Sequence, residues 1–314
     1  MNKIISFFKL IRWTNLLMIT VMMFLVYYCL MSPLSYYFTS VLPPATSFFL
    51  LVVSLVLIVA AGYVINDYFD IEIDKHNKPE KLLISKVFSE KEALISYGIL
   101  TFLGLAFGLA SSVIVLKVKF YILFAVLVLL ACLLYSYSFT YKKRLFVGNL
   151  IVAFSVAFAV FLPYLFEILY LSDNLLILSL CKDIVVNIVY FVLIYTLFAF
   201  LLTLIREIIK DVEDYEGDTK IHCRTIPIVY GVSKTKTMLY VLIILSMLLL
   251  FVYCFILFKL QLYMALGLVG IVSLCLFLLM YKLFKAQNKK DFHRLSVMTK
   301  MMMLIGLLSM LFLK

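Results

Sequence analysis

Carboxylates gather at two places in a chain that otherwise contains few of them. Of its 17 Asp and Glu residues, seven lie at positions 67–92 and six at positions 207–218. In the first stretch, Asp67, Asp70 and Asp74 are spaced by three and four residues, and Asn66 comes directly before them. In a helix the three aspartates fall within an arc of about 60°, with Asn66 at its edge. This stretch therefore predicts one acidic face.

The second stretch repeats this spacing. Asp211, Asp214 and Asp218 have the same offsets, and Lys210 stands where Asn66 stands in the first stretch. Carboxylates are hard oxygen ligands, and Mg²⁺ prefers one or two of them together with water and substrate phosphate. Two such clusters therefore predict divalent metal held against a diphosphate, whose charge the metal would neutralise as the diphosphate leaves.

Basic residues near these stretches are candidates for binding phosphate oxygens. Arg206 and Lys210 belong to the second stretch, and Lys142 begins a basic loop, Lys142-Lys143-Arg144. Arg suits bidentate contact with phosphate, whereas Lys acts as a compact charge. A basic loop is also a common topology signal in membrane proteins, so Lys142 carries less weight than the aspartates.

The elements that position these residues follow from composition. The 314-residue chain is 66% hydrophobic and 14% charged, whereas a soluble domain is nearer half apolar and a quarter charged. Its apolar residues form runs of about 20, the length of a helix that spans a bilayer. We predict a single all-α, polytopic membrane domain over residues 1–314, with nine spans near residues 15–31, 46–65, 95–116, 119–139, 147–170, 185–205, 237–258, 262–284 and 297–313.

The positive charges predict how these spans are oriented. With the N-terminus inside, 23 of the 28 Lys and Arg residues fall on inside segments and five fall outside, as the positive-inside rule expects. Both acidic stretches then end even-numbered spans on the cytoplasmic side. The net charge of +11 therefore reflects membrane topology, and no nucleic acid partner is predicted. The six cysteines contain no C-x-x-C pair that would indicate a zinc site.

On these residues the chain resembles the UbiA-type intramembrane prenyltransferase superfamily. Residues 66–74 read N-D-x-x-D-x-x-x-D and residues 214–218 read D-x-x-x-D, and in that superfamily such motifs follow the second and sixth of nine spans. Arg12 and Asn15, which precede the first span, and Gly148-Asn149, which follow the basic loop, agree with the resemblance. Residues 70–81 and 206–218 most resemble the digeranylgeranylglyceryl phosphate synthase branch, although Lys81 stands where Arg is common.

The resemblance implies a helical bundle with a central cavity that opens to the cytoplasmic side. A polyprenyl diphosphate would bind there through Mg²⁺, and its prenyl group would alkylate a lipophilic acceptor. In the branch named above, that acceptor is the free hydroxyl of a prenylated glycerol phosphate. The implied catalytic residues, which with Asn66 are also the implied metal ligands, are Asp67, Asp70, Asp74, Asp211, Asp214 and Asp218. The residues implied to bind the diphosphate are Asn15, Asn66, Lys142, Arg206 and Lys210.

Three alternatives remain open at this point. A member of the same superfamily could prenylate an aromatic acceptor in quinone or haem O synthesis, because the metal motifs do not distinguish acceptors. A membrane CDP-alcohol phosphotransferase also binds metal through aspartates, but its D-G and A-R pattern is absent here. A transporter is disfavoured, because transport sites lie near the bilayer midplane on helices broken by Gly or Pro, and this chain has 10 Gly and 6 Pro.

Overall fold

The computed structural model describes residues 3–31, 34, 43–77, 82–115, 119–173, 175–220 and 223–313. The described residues form helices, and their one β-type pairing is an isolated bridge between Ile84 and Phe88. The helices are α1 (Lys3–Leu10), α2 (Trp13–Leu25), α3 (Ala45–Phe69), α4 (Ile71–Asn77), α5 (Glu90–Val115), α6 (Phe120–Phe139), α7 (Val147–Leu171), α8 (Leu175–Leu180), α9 (Lys182–Glu213), α10 (Tyr215–Lys220), α11 (Ile226–Lys259), α12 (Tyr263–Lys285) and α13 (Lys289–Leu308).

The nine predicted spans and the all-α, polytopic fold class are confirmed. Among the described residues, nine helical segments are long and apolar enough to cross a membrane. They are Trp13–Leu30, Ala45–Phe69, Glu90–Val115, Phe120–Phe139, Val147–Leu171, Lys182–Glu213, Ile226–Lys259, Tyr263–Lys285 and Lys289–Phe312. The first includes a π-helical turn, Val26–Leu30, and the last a 3₁₀ turn, Ser309–Phe312. Pro79 and Lys81, which the branch resemblance uses, lie outside the described residues.

Three helices extend well beyond their predicted spans into polar sequence. Helix α9 continues to Glu213 and α13 begins at Lys289, whereas α11 begins at Ile226 but is kinked at Gly231, where φ is 81° and ψ is 156°. Hydropathy marks where a chain leaves lipid, whereas backbone hydrogen bonds continue until a cap or a break ends them. At α13 the break is a capping box, in which Asn288 and Asp291 each bind the other's backbone N–H.

Contacts group the chain into two compact units, which are described separately here. Unit 1 consists of Met1–Met23, Pro33–Lys142 and Leu162–Val185, and unit 2 consists of Phe24–Ser32, Lys143–Phe161 and Val186–Lys314. The first acidic stretch belongs to unit 1 and the second to unit 2. That the whole chain is a single domain, and that it encloses a central cavity, both stay predictions.

In unit 1, two glycines bring α5 close to α3. A Cβ added to Gly104 would lie 2.9 Å from Ile58, and one added to Gly108 would lie 2.7 Å from the hydroxyl of Ser54. The Ser54 hydroxyl also donates a 2.7 Å hydrogen bond to the carbonyl of Gly104. Small residues four positions apart are a common way for membrane helices to pack closely. This contact holds α3 against α5, and the first acidic stretch begins in the last turn of α3.

A buried apolar cluster holds that end of α3 in place. It joins α1, α3, α4, the segment before α5 and the first turn of α5, and its buried members are Leu10, Val64, Ile71, Ile84, Phe88 and Ala93. Ile71 directly follows Asp70, so packing of Ile71 determines where the chain turns after the aspartate. The salt bridge from Lys3 to Glu92, with an Nζ–Oε1 distance of 2.5 Å, lies at the exposed edge of the same region.

In unit 2, three contacts define how α9 runs antiparallel to the C-terminal helix. Tyr195 and Ser309 share a hydrogen bond of 2.6 Å between their hydroxyl oxygens. Phe198 lies 3.2 Å from the place a Cβ would take on Gly306. At the other end, His293 Nδ1 lies 3.0 Å from a carboxylate oxygen of Glu213. The register is therefore set by contacts at both ends of the pair.

Candidate active site

The first acidic stretch forms a compact polar group at the end of α3. Asn66 and Asp67 are in its last turn, and Asp70 caps it in the bridge region of backbone space, with φ −92° and ψ 0°. The Asn66 amide donates to Asp70 Oδ2 at 3.0 Å and reaches Asp67 Oδ1 at 3.5 Å. Asn66 and Asp70 are both buried, and Asp74 follows, half-buried, in α4. The predicted acidic face is thus divided by a helix break at Asp70.

Lys142 joins this group from the turn after α6. Its ammonium forms a salt bridge with Asp70 Oδ2 and donates to Asn66 Oδ1 at 3.3 Å. These contacts link residues more than 70 positions apart in the chain. A buried carboxylate is costly unless a cation or hydrogen-bond donors face it, and Asp70 has both. The structure therefore brings together Asn66, Asp70 and Lys142, as the resemblance implied.

Arg12 is a member of the site that the predicted set did not contain. Its guanidinium donates to Asp67 Oδ1 at 2.8 Å and lies 4.7 Å from the centroid of the Tyr63 ring. Arg12 has a φ of +52°, which is uncommon for a residue with a side chain and costs about 1–3 kcal/mol. This turn between α1 and α2 directs the guanidinium at Asp67. The predicted diphosphate ligand Asn15 lies nearby and donates to the Tyr63 hydroxyl at 3.2 Å.

The charge state of Arg12 follows from its neighbours. Burial disfavours the charged guanidinium, but the attraction of Asp67 and Tyr63 outweighs it and raises the pKa of Arg12 above its ordinary value. Arg12 therefore remains a cation at any pH at which the protein folds. The charge of Arg12 favours the ionised form of Asp67 and so opposes burial, which favours the protonated form; binding of a metal requires the ionised form.

We expect that Arg12→Gln lowers prenyl-transfer kcat/KM by about 10- to 100-fold, the usual cost of losing a group that orients a metal ligand. Gln can still donate to Asp67 but carries no charge. Steady-state kinetics at saturating and limiting Mg²⁺ would measure the effect, which should be larger when Mg²⁺ is limiting. Lys9→Gln, at an exposed cation on α1, is the matched control. Equal activity of the two variants would contradict a role for Arg12.

The second acidic stretch surrounds the junction of α9 and α10 in unit 2. Asp211 lies in the last turn of α9, and Asp214 is the residue between the two helices. The carbonyl of Asp214 accepts hydrogen bonds from the backbone N–H groups of Gly217 and Asp218, both at 3.0 Å. All three aspartates are half-buried. As in the first stretch, a helix break interrupts the predicted face.

Polar side chains hold this second stretch as well. The Asn149 amide, from the start of α7, donates to Asp211 Oδ2 at 2.8 Å. One turn earlier on α9, Arg206 and Lys210 both contact Glu207, at 2.7 Å and 3.0 Å between nitrogen and Oε1. The predicted phosphate-binding cations of unit 2 are therefore neighbours on one helix and share one carboxylate.

The side chains fit a magnesium site in their chemistry. Among the described residues, no three His, Cys, Asp or Glu side chains are close enough to hold a metal ion by themselves. Mg²⁺ does not require such a cage, because it is usually held by one or two carboxylates, with water and substrate phosphate completing its shell. The buried pair of Asn66 and Asp70, with Asp67 beside them, offers oxygen donors of that kind. Their roles as ligands stay predictions.

Arg12 and Asn149 contact the site aspartates, although neither was assigned a role from the sequence. Arg12 was noticed only as a residue before the first span, because nothing in its local sequence indicates a contact 55 positions away. Asn149 lies beside a basic loop and looks like part of a helix start. One prediction near the site was wrong. Glu213 points off the acidic face, which predicts a solvated side chain, but the structure shows it mostly buried and in contact with His293.

Known proteins resemble this chain in sequence. The profile of the UbiA prenyltransferase family matches residues 25–304. A protein of Saccharolobus solfataricus named digeranylgeranylglyceryl phosphate synthase is 37% identical over 60% of this chain and 60% of its own length. One of the same name from Methanosphaera stadtmanae is 30% identical over 81% of this chain and 82% of its own length. The chain thus spans about three fifths of the first relative and four fifths of the second.

Solved structures share the fold. A structure described as concerning digeranylgeranylglyceryl phosphate synthase in membranes aligns with a TM-score of 0.65 and 28% identity, over 99% of this chain and 98% of that one. A UbiA homologue from Archaeoglobus fulgidus, bound to GPP and Mg²⁺, aligns with a TM-score of 0.60 over 97% of this chain and 99% of that one. Its identity of 16% supports likeness of fold alone. With a family profile that covers most of the sequence, this chain belongs to the UbiA prenyltransferase family.

Proposed function

We propose that this protein transfers a polyprenyl group from its diphosphate to the hydroxyl of a prenylated glycerol phosphate, with Mg²⁺ as cofactor. One observation carries the proposal most directly. In the first stretch, Asp67 and Asp70 are each paired with a cation from a distant part of the chain, Arg12 and Lys142. The names of the relatives support the choice of acceptor, because each is called a digeranylgeranylglyceryl phosphate synthase.

Each described contact suggests a role for the residue that makes it. When bound, Mg²⁺ supplies Lewis-acid neutralisation of the diphosphate. Asn66, Asp67 and Asp70 would hold it in unit 1, and Arg12 would keep Asp67 in place. The ammonium of Lys142, at Asp70, is a donor for a diphosphate oxygen. In unit 2, Asp211, Asp214 and Asp218 would be the ligands, with Asn149 orienting Asp211.

The proposed reaction exchanges one carbon–oxygen bond for another. The bond between the allylic carbon of the prenyl chain and the diphosphate oxygen breaks, and the electron pair leaves with the diphosphate. The acceptor hydroxyl oxygen then bonds to that carbon and loses its proton, which forms an ether. The enzyme's main contribution would be stabilisation of the negative charge that develops on the leaving group.

We also propose that the N-terminus and the active site face the cytoplasm, because the positive charges are so unevenly distributed between alternate loops. A cysteine placed at Lys290, in an otherwise cysteine-free variant, should react with a membrane-impermeant thiol reagent only after cells are opened. One placed at Gln261, between α11 and α12, should react in intact cells. The reverse labelling pattern would overturn the orientation.

The acceptor assay is the direct test of the proposed function. Purified protein in lipid vesicles would receive Mg²⁺, labelled geranylgeranyl diphosphate and one acceptor at a time, and products would be identified by mass. We expect an ether lipid from prenylated glycerol phosphate, and loss of turnover when EDTA removes divalent metal. Dihydroxynaphthoate, hydroxybenzoate and haem are the competing acceptors. Transfer to one of these, with none to the glycerol phosphate, would overturn the assignment.

A further inference from the structure

Two polar groups lie buried where the predicted sixth span ends in α9, one turn apart and just before the second acidic stretch. Thr203 is 3% exposed, and its hydroxyl has no hydrogen-bond partner among the described residues. A helical threonine usually donates to the carbonyl four residues earlier, and this one does not. The Nε of Arg206 is likewise buried and without a partner within the described ranges. Residues three apart share a helix face, so the two unsatisfied groups lie on one side of α9.

A further cation faces them from the C-terminal helix. Tyr195 of α9 lies opposite Ser309, and Glu213 lies opposite His293. Between these two contacts, the antiparallel register places Arg206 opposite Lys300, to within about one residue along the helix. The electrostatic repulsion between Arg206 and Lys300 agrees with this placement. Lys300 is half-buried in a run that continues Met301-Met302-Met303.

The cost of this arrangement calls for an explanation. Lys300 lies three residues inside the predicted ninth span, in the part of α13 that follows its polar start. Half-buried charges within a span are expensive, and they mark sites for substrates, ions or proton transfer. Here two like charges lie near one another, and of the five N–H donors of Arg206 one contacts Glu207. An anion that accepted hydrogen bonds from Arg206 and Thr203 would satisfy both donors. It would also reduce the repulsion between the charges of Arg206 and Lys300.

We propose that Thr203, Arg206 and Lys300 bind the phosphate of the acceptor lipid. This inference rests on the proposed function, and it gives Arg206 a different partner from the diphosphate that the resemblance implied. A phosphomonoester has three acceptor oxygens, which suits a planar guanidinium, a hydroxyl and an ammonium.

The position of Arg206 along α9 favours the phosphate of the acceptor lipid over the prenyl diphosphate as its ligand. Arg206 precedes Asp211 by five residues, or about 8 Å along α9. A diphosphate held through metal is expected at the aspartates themselves. A phosphate at Arg206 would be displaced from them along α9, and the reacting hydroxyl on the same glycerol, which is a few bonds from the phosphorus, would lie between the two. The relatives' product, digeranylgeranylglyceryl phosphate, keeps that phosphate.

Binding without turnover tests the proposal. Lys300→Met and Thr203→Val keep the side-chain volume and suit a membrane helix, so both should fold. We expect Lys300→Met to weaken binding of prenylated glycerol phosphate by roughly 10- to 100-fold, as loss of a charged hydrogen bond does. Binding of unphosphorylated prenylglycerol should not change. Calorimetry in detergent, with Mg²⁺ and donor absent, measures both ligands. Lys290→Met, at an exposed cation that is the second residue of α13, is the matched control.

Kinetics then distinguish the two sources of phosphate. Lys300→Met should raise KM for the phosphorylated acceptor and leave KM for geranylgeranyl diphosphate unchanged, and Lys300→Arg should restore most of the affinity. A rise in the donor KM alone, or equal rises for both substrates, would assign these cations to the diphosphate and overturn the proposal. Unchanged acceptor binding in Lys300→Met would also overturn it. If the wild type binds the phosphorylated lipid selectively but transfers nothing to it, the proposed function fails and the binding site stands.

Discussion

Replacing Asp70 by Asn should abolish measurable prenyl transfer, with kcat lowered at least about 10³-fold. Stabilisation of a leaving diphosphate by metal is worth several kcal/mol, and each 1.36 kcal/mol is a factor of ten in rate. Asp70 is 5% exposed and accepts from both Asn66 and Lys142. Asn has the same shape but no charge, so Lys142 would face a neutral amide and the proposed metal site would lose a ligand.

The control for this experiment is Glu72→Gln, two residues further along. The Glu72 side chain is 76% exposed and forms a local salt bridge with Lys75, and exposed pairs of this kind contribute little. We expect its activity to remain within about twofold of wild type, since surface changes are usually nearly neutral. Thermal unfolding in detergent would show whether Asp70→Asn is folded. A folded Asp70→Asn protein with substantial turnover would contradict the proposed role of the first acidic stretch.

The fold was largely predictable because the membrane imposes a strong and simple constraint. A helix in lipid satisfies its own backbone, so nine apolar runs predict nine helices before any contact is known. The helix ends were less predictable. Hydropathy does not register a polar helix that continues into water, and this is why α13 begins at Lys289, eight residues before its predicted span. The close packing at Gly104 and Gly108 has a sequence signal, G-x-x-x-G, that identifies such a contact but not its partner helix.

The site was predictable only where its chemistry is local in sequence. Spacing of three and four residues identified the aspartates, because such residues share a helix face. It did not reveal that the face is divided at Asp70 and again at Asp214. Arg12 and Asn149 could not be found in this way, since each reaches its aspartate from a distant part of the chain. Lys300 was the hardest to identify from sequence. A lysine near the start of the last predicted span looks like a boundary residue until the register of α9 and α13 is known.

The second large effect should come from Asp214→Asn in unit 2, which we expect to lower kcat at least about 10²- to 10³-fold, the range seen when one group that stabilises developing charge is removed. Asp214 links α9 and α10, and its carbonyl accepts two backbone hydrogen bonds there. Asn preserves that backbone geometry while removing the charge. Glu216→Gln, at an exposed carboxylate two residues further on, is the control and should retain activity.

Combining the two substitutions tests whether both stretches serve one reaction. If Asp70 and Asp214 act on the same diphosphate, either change alone removes most of the catalysis that both provide. The kcat of the double variant should then be no lower than that of the less active single variant. Groups that act as a unit show this kind of non-additivity. Independent contributions would instead multiply to roughly 10⁵-fold or more, as separate free energies add. Multiplication of the two losses, or full activity of Asp214→Asn, would contradict a shared substrate, because a leaving group held through both stretches cannot lose one of them without consequence.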